Sequence, residues 1–277
     1  MTLLHGNQVS CYFDPESAEG TSRTGQVWKV LAHHSEARIA EESAPVSVKK
    51  SGSVDGTSNE KGTRKVILRL TVNPSEASGK LFSKTYASSD TPVSMIIKNS
   101  GGTFLWRLTG LKVKSITESC QKYPTAGAVS FVIELWGWAI LFSEPATTTY
   151  EAIPDGHVNW NDTTVKIAAV TQSLWWSWNF VITNDLDIQH DENGAVVGIL
   201  RGDRELSLSI QKALEDTAST QFNGAQISFA TVSIEIDLNA DSYTFGATAY
   251  EAVEVIADRT RAAGLELRGK PSTLTIA

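Results

Sequence analysis

The sequence predicts a mainly β protein with two tandem β-sandwich or barrel domains, each carrying one short α-helix, joined by an extended linker. Three observations support this prediction. Apolar and polar residues alternate over many short segments, which is typical of strands with one buried face. Turn-forming pairs such as Asn73-Pro74 end these segments. The strand pattern of the first half returns about 140 residues later in a chain of 277.

The repeat becomes visible when the chain is shifted by 140 residues without gaps. Residue identity is close to chance, but the strand pattern and its breaks match over about seventy residues. This match predicts an internal duplication. The positions that coincide include Val66 with Leu206, Leu68 with Leu208, Leu70 with Ile210, Phe82 with Phe222, Val113 with Val253 and Ile116 with Ile256.

Each half is expected to contain the same elements in the same order. A hairpin near the middle of each half has turn residues of hairpin type, NSGG and NADS. Residues 251–263 also have helical propensity, but the repeat favours a strand through about residue 256. The predicted elements are strands at 38–50 and 177–189, polar loops at 49–63 and 189–203, strands at 64–73 and 203–212, helices at 75–87 and 214–224, hairpins at 93–116 and 232–256, and last strands at 129–141 and 272–277.

The predicted domains are residues 1–142 and 164–277, with residues 143–163 as the linker. The formal net charge is −7, and residues 1–140 carry +4 while residues 141–277 carry −11. This asymmetry fits head-to-tail contact between copies, or it reflects two solvated surfaces that differ by drift. The acidic half argues against tight wrapping of nucleic acid.

Several classes of protein are not favoured by the sequence. No segment approaches 18 consecutive apolar residues, and the N-terminus lacks the basic and apolar regions of a signal peptide. Cys11 and Cys120 are expected to be buried, inert thiols. No metal, cofactor or nucleophile pattern is found, so neither a cofactor nor enzymatic activity is predicted. The tripeptide RGD at 201–203 is interpreted as the start of a strand and not as an adhesion motif.

The tryptophans are the most conspicuous candidates for binding. They could form a stacking platform for sugars or bases, but core and interface packing is the favoured interpretation because tryptophan is common in both. Trp136 and Trp138 are expected to share one strand face, and so are Trp176 and Trp178. Trp175 completes the set.

The order of strand, short helix and hairpin resembles phage tail tube proteins and the Hcp-type tube proteins of type VI secretion. The residues that carry the resemblance are LRLTVNPSEASGKLF at 68–82 and VSMIIKNSGGTFLWRLTGLKVKSI at 93–116. The second half matches through RGDRELSLSI at 201–210 and YTFGATAYEAVEVI at 243–256. The chain departs from the usual form because it carries two units where most tube proteins carry one.

The resemblance implies a structural virion protein whose trimeric, pseudo-hexameric rings stack into a tube that conducts DNA. The implied partners are other copies of the chain, the tape-measure protein and passing DNA without specific binding, together with sheath, terminator or baseplate proteins, and no membrane. The implied lumen-facing residues are Arg69, Thr71, Ser207, Ser209 and Gln211. The implied ring-stacking residues are Lys49, Lys50, Asp55, Lys61, Asp191, Glu192, Arg201 and Asp203.

Two alternatives remain open at the level of the sequence. One is a tail-end ring on the same fold, such as a tube initiator, distal tail or terminator protein. The other is a carbohydrate-binding module that uses the tryptophan-rich strands. A hydrolase or secreted effector would need a catalytic constellation, and none is visible in the sequence.

Overall fold

The structure is a computed structural model, and the prediction of a mainly β protein is confirmed. All the long strands join in one 16-stranded sheet. The one short helical element described is a three-residue 3-10 helix, Trp160–Asp162. The structure describes residues 9–18, 20–21, 25, 27–48, 58–73, 90–99, 104–144, 148–152, 158–213, 231–238, 241–256 and 263–277.

The strands follow the alternating segments of the sequence. Those of the first half are β1 (Val9–Pro15), β2 (Val27–Val48), β3 (Ser58–Asn73), β4 (Val93–Asn99), β5 (Phe104–Gln121), β6 (Ser130–Gly137) and β7 (Ala139–Leu141). The short β8 (Thr149–Tyr150) lies in the predicted linker. The second half contains β9 (Thr163–Ile167), β10 (Val170–Thr171), β11 (Trp175–His190), β12 (Val196–Ala213), β13 (Val232–Leu238), β14 (Asp241–Ile256), β15 (Gly264–Lys270) and β16 (Thr273–Ile276).

Six strands of the first half pair in a closed cycle. β1 pairs with β2, β2 with β3, and β3 with β6. β6 then pairs with β5, β5 with β4, and β4 returns to β1. Every one of these pairings is antiparallel, which is the connectivity of a small barrel.

The second half repeats this network of pairings. β9 pairs with β13, β13 with β14, β14 with β15, β15 with β12, and β12 with β11. The short strand β10 pairs with β9 and precedes β11 in the chain. β10 and β11 together therefore take the place of β2, with a break between them at residues 172–174.

The pairings give the equivalence of the two halves residue by residue. Leu68 pairs with Ile39, and Leu208 pairs with Phe180, so β3 and β12 differ by 140 residues while β2 and β11 differ by 141. Ile133 and Leu267 are likewise equivalent through their partners Leu70 and Ile210.

The ungapped alignment is wrong in the last strands of each half. Ile133 pairs with Ile116, and the equivalent Leu267 pairs with Val253, so Ile116 corresponds to Val253 and not to Ile256. Both β5 and β14 carry a bulge just before this point, at Val113/Ser115 and at Tyr250/Ala252. A bulge adds one residue to a strand, so two apolar residues on the same face lie three positions apart instead of two. An alignment of the halves that is wrong by three residues therefore still matches apolar positions with apolar positions.

Other elements differ from their predicted bounds. Strand β15 was not predicted, although it pairs with both β12 and β14. The predicted loops at 49–63 and 189–203 are shorter than expected, because β3 begins at Ser58, β11 ends at His190 and β12 begins at Val196. The predicted helices at 75–87 and 214–224 lie outside the described residues.

The predicted linker is docked on the first half. β8 pairs in parallel with the start of β2. The Glu151 carboxylate accepts a hydrogen bond from the backbone N–H of Val30 at 3.1 Å and lies 3.3 Å from Lys29 Nζ. The ring of Tyr150 packs against Tyr12, with 4.7 Å between the ring centroids. These contacts hold residues 149–151 against β1 and β2.

The core is formed by the inward positions of both halves. In the second half, the ring of Phe180 lies 5.1 Å from those of Tyr243 and Phe245 and stacks on Trp178 at 5.9 Å. In the first half the largest fully buried side chains include Phe13, Leu31, Leu68, Leu70, Met95 and Phe131. Along the long strands, the apolar residues of the alternating pattern therefore point into the core.

A buried carboxylate organises one end of the first half. Glu16 accepts hydrogen bonds from the backbone N–H groups of Gly20 at 2.6 Å and Gly110 at 2.7 Å, and from the Ser94 hydroxyl at 2.5 Å. Gly20 and Gly110 both have positive φ, and the indole of Trp138 packs directly on both of them. These glycines allow the close approach of the ring.

Replacing Gly110 by alanine should lower the free energy of unfolding by about 2–4 kcal/mol. Its φ is +65°, which is strained for alanine, and a Cβ would lie 2.6 Å from Trp138 carbons. Gly25→Ala is the matched control, because Gly25 has a φ of +69° but no atom within 4 Å of a Cβ. Urea unfolding should show the larger loss for Gly110→Ala, and equal losses would show that Trp138 does not restrict this position.

Candidate assembly surface

The two halves are joined edge to edge by a ladder between β5 and β11. Seven residue pairs form this ladder, from Ser115 opposite Thr183 to Gln121 opposite Ser177. The core side of the ladder places Ile116 opposite Ile182 and Cys120 opposite Trp178, and it also includes the buried carboxylate of Glu118 opposite Phe180. The ladder produces one continuous run of eight strands, in the order β2-β3-β6-β5-β11-β12-β15-β14.

One side of this eight-stranded run is mostly polar, and we call it the polar face. The cross-strand pairs place its residues side by side, for example Arg69 opposite Glu134 and Asn179 opposite Ser209. The polar face includes Glu36, Arg38 and Glu42 on β2, Lys65, Arg69 and Thr71 on β3, Val132, Glu134 and Trp136 on β6, Ser115, Thr117 and Ser119 on β5, Ser177, Asn179, Val181 and Thr183 on β11, Glu205, Ser207, Ser209 and Gln211 on β12, Glu266 and Arg268 on β15, and Glu254 and Ile256 on β14.

The structure therefore brings all five predicted lumen residues onto one face. Arg69 and Thr71 lie on β3, while Ser207, Ser209 and Gln211 lie on β12, which is four strands away in the run. Ile67 lies on the same face two residues before Arg69, and it is buried there opposite Trp136. The glutamates and Arg268 on this face were not predicted, because most of them lie on strands whose pairing the sequence does not reveal.

Four basic side chains on the polar face each form an ion pair with a glutamate of the same face. Arg69 Nε lies 2.7 Å from a Glu134 oxygen, and Arg268 Nε lies 2.8 Å from Glu266. The other pairs are Lys65 with Glu42 at 3.1 Å and Arg38 with Glu36. Paired cations are poor ligands for phosphate, because a phosphate group must compete with the carboxylate already bound.

The ion pairs change the pKa of two glutamates. A hydrogen bond from Arg268 holds the pKa of Glu266 below its usual value. Burial alone would raise the pKa of Glu134, but hydrogen bonds from Arg69 and Trp136 outweigh it and the pKa is lowered. A lowered carboxyl pKa stabilises the fold above the unfolded-state pKa, and this stabilisation is lost as the pH falls through the folded-state value.

Arg268→Gln should therefore lower the melting temperature at neutral pH by a few degrees at most, because the arginine is exposed. The difference from the unchanged protein should shrink as the pH falls below the ordinary range of a glutamate and through the lowered pKa of Glu266. Melting curves across this range test the prediction. Lys270→Gln removes an exposed pair with Glu251 and is the control. Parallel curves for Arg268→Gln and the unchanged protein would contradict the assignment.

The eight-stranded run ends in two open edges. Within the described residues, the side of β2 away from β3 has no strand partner over residues 36–42, since β1 and β8 pair only with residues 27–33. The side of β14 away from β15 likewise has none over residues 249–256. Val255, on the core side of this edge, is 51% exposed. Open edges with apolar side chains are sites for pairing with another chain.

Two long hairpins extend beyond the joined sheet. The β11–β12 hairpin turns at residues 191–195, where the Asp191 side chain accepts hydrogen bonds from the backbone N–H groups of Asn193 and Ala195. His190 Nε2 lies 3.0 Å from the backbone oxygen of Arg64 on the β2–β3 hairpin. The two equivalent hairpins therefore contact each other at one end of the sheet.

The predicted stacking residues are spread over these hairpins. Asp191 and Glu192 lie in the exposed turn as predicted. Arg201 and Asp203 lie within β12 and the backbone of Lys61 lies within β3, so none of the three is in a loop. Their assignment to loops is wrong. The strands of an extended hairpin can pair with each other without alternating apolar residues, so a polar segment of this kind is mistaken for a loop. Lys49, Lys50 and Asp55 lie outside the described residues.

The tryptophans are mainly core residues. Trp175, Trp176 and Trp178 are buried. The expected shared faces are wrong, because a bulge between Trp175 and Ser177 sends Trp175 and Trp178 into the same core. Trp176 packs instead on Gly264 and Tyr123. The chain also breaks at Trp138, between β6 and β7, so Trp138 does not continue the face of Trp136.

Trp136 lies on the polar face itself. Its indole N–H donates a hydrogen bond to Glu134 at 2.8 Å. The Lys65 and Lys114 ammonium groups lie 4.3 Å and 5.0 Å from its ring centroid. Its ring is thus occupied by protein cations, and the described tryptophans do not form an open stacking platform.

The remaining candidates for chemistry are buried or absent from the described residues. Cys11 and Cys120 are buried as expected, and burial raises the pKa of Cys11 to about 12 and that of Cys120 to about 11. The described residues contain no cluster of three metal-ligating side chains. No helix in the described ranges has the length and apolarity needed to cross a membrane.

The chain matches no protein-family model and no curated protein sequence.

Proposed function

We propose that this chain is the structural subunit of a phage tail tube. Three copies form a ring with six similar four-stranded units, and rings stack into a tube that conducts DNA during ejection. The polar face lines the channel, with Arg69, Thr71, Ser207, Ser209 and Gln211 among the residues that face it. The proposed location is the tail of the virion, assembled in the host cytoplasm.

The observation that carries the proposal is the continuous eight-stranded run with an open edge at each end. Two similar units already pair edge to edge within one chain through β5 and β11. An open edge needs a partner. Head-to-tail pairing of unlike edges closes into a ring when the rotation between neighbouring copies divides a full turn evenly.

The dimensions of such a ring suit a DNA channel. Eight strands per chain give 24 strands in a trimer. At about 4.8 Å between strands, the opposite backbones would lie roughly 37 Å apart before strand tilt is considered. Side chains from the polar face would narrow this opening and still leave room for a duplex.

The charges of the polar face suit passage without specific binding. The ion pairs of Arg69 with Glu134 and Arg268 with Glu266 leave these guanidinium groups already neutralised. Glu205 adds an exposed carboxylate on β12. A phosphate backbone therefore meets a wetted wall with little net attraction. The tape-measure protein would occupy the same channel before DNA.

The long hairpins would make the contacts between stacked rings. They extend at the same end of the sheet, and the β11–β12 hairpin carries the exposed apolar residues Val197 and Leu200. Sheath, terminator or baseplate proteins would bind the outer wall or the ends of the tube.

Electron microscopy of the concentrated purified protein tests the proposal. Rings with a central opening and three-fold symmetry, stacked into tubes, are the expected result. Isolated rings that never stack would favour a tail-end ring protein, which is present in one or two layers per particle. A protein that stays monomeric at high concentration and forms no rings in particles that contain it would refute the tube.

A further inference from the structure

The ladder between β5 and β11 joins two strand edges, and the equivalent edges at the two ends of the eight-stranded run are unpaired in the described part of the single chain. By their pairings, residues 177–183 of β11 correspond to residues 36–42 of β2. Residues 115–119 of β5 correspond in the same way to residues 252–256 of β14. The two open edges are therefore the counterparts of the two edges that are already joined.

We propose that β14 of one copy pairs with β2 of a second copy in the register of the internal ladder. This inference rests on the proposed ring assembly. In the internal ladder Thr117 lies opposite Val181, so the equivalent pair between two copies is Glu254 opposite Ala40. In the same way, the pair of Ile116 with Ile182 corresponds to Val253 opposite Glu41. The full register is Ala252 with Glu42, Val253 with Glu41, Glu254 with Ala40, Val255 with Ile39 and Ile256 with Arg38.

Most side chains at the two edges fit this register, and the exception is Glu41, which would lie opposite Val253 on the core side and pairs with Arg64 at 3.5 Å. Val255, which is 51% exposed in the single chain, comes to lie opposite the apolar Ile39 on the core side. On the polar side, Glu254 meets Ala40, so no like charges are directly opposite each other. A shift by one residue would turn Val255 toward the polar face. A shift by two in one direction would put Glu254 opposite Glu42, which is unfavourable, whereas a shift by two in the other direction would put it opposite Arg38, and only the equivalence with the internal ladder argues against that register.

Paired cysteines can test the register. Ala40 and Glu254 are both exposed, so the double variant Ala40→Cys/Glu254→Cys is expected to fold, and circular dichroism checks this. Oxidation should produce covalent oligomers up to the closed trimer, with at least ~10-fold more product than from either single variant, because only directly opposite residues meet disulfide geometry. Glu42→Cys/Ala252→Cys tests the same register at a second place.

Three further pairs serve as controls. Thr117→Cys/Val181→Cys should give a disulfide within one chain, because these residues are directly opposite in the internal ladder. Arg38→Cys/Glu254→Cys and Glu42→Cys/Glu254→Cys represent registers shifted by two residues and should cross-link weakly.

The outcomes separate this inference from the proposed function. Stronger cross-linking of a shifted pair, or rings without a cross-link at either 40–254 or 42–252, would overturn the register and leave the tube intact. Absence of rings from the unchanged protein would overturn the tube and this inference with it.

Discussion

Replacing Val255 by lysine should abolish ring formation and leave the single chain folded. Val255 is half exposed at the open edge of β14, so the isolated subunit can hold the ammonium group in water. In an assembled ring the same group would be buried next to Ile39, where the nearest carboxylate on that side of β2, Glu41, is already paired with Arg64. Burial of an unpaired charge costs several kcal/mol, so the concentration needed for assembly should rise at least about 100-fold.

Val170→Lys provides the matched control for this prediction. Val170 is 62% exposed on the short strand β10, away from both open edges of the eight-stranded run. Both variants should keep the melting temperature of the unchanged monomer, and only Val255→Lys should lose rings by electron microscopy and sedimentation. Rings of Val255→Lys at the usual concentration would show that this edge is not an interface.

Phe180→Ala should destabilise the chain by about 3–5 kcal/mol. Phe180 is fully buried and contacts the rings of Trp178, Tyr243 and Phe245. It also lies on β11, the strand that joins the two halves. Its removal therefore leaves a cavity beside the internal ladder.

Urea unfolding measures this loss. Phe142→Ala is the control, because Phe142 is 78% exposed and its truncation should change the free energy of unfolding by no more than about 0.5 kcal/mol. Similar midpoints for the two variants would mean that Phe180 is not part of a packed core.

Local patterns predicted much of the fold. The hairpins β4–β5 and β13–β14 were predicted because their apolar positions alternate and turn residues separate the strands. The sequence also placed Arg69 and Ser209 on the wetted side of their strands. These properties depend on neighbours in the chain, so they are visible in the sequence.

Pairing between distant strands was not predictable in the same way. Strand β15 contains Gly264 and Gly269, and glycine is uncommon inside strands, but here Trp176 and Thr248 pack closely on those two residues. The bulges in β5 and β14 concealed the change of offset between the halves. The ladder between β5 and β11 has no local pattern at all, because its edge positions look like any other alternating strand.

The ladder between β5 and β11 also determines how assembly depends on protein concentration. In a ring with six joints, single-unit subunits would have to form all six joints between separate chains, whereas here the peptide chain makes three of the joints during folding. An intramolecular joint does not depend on protein concentration. At equilibrium the concentration of the proposed ring should therefore follow the third power of free monomer concentration. The two kinds of joint can also diverge in sequence, because the joint within the chain never has to form between separate molecules.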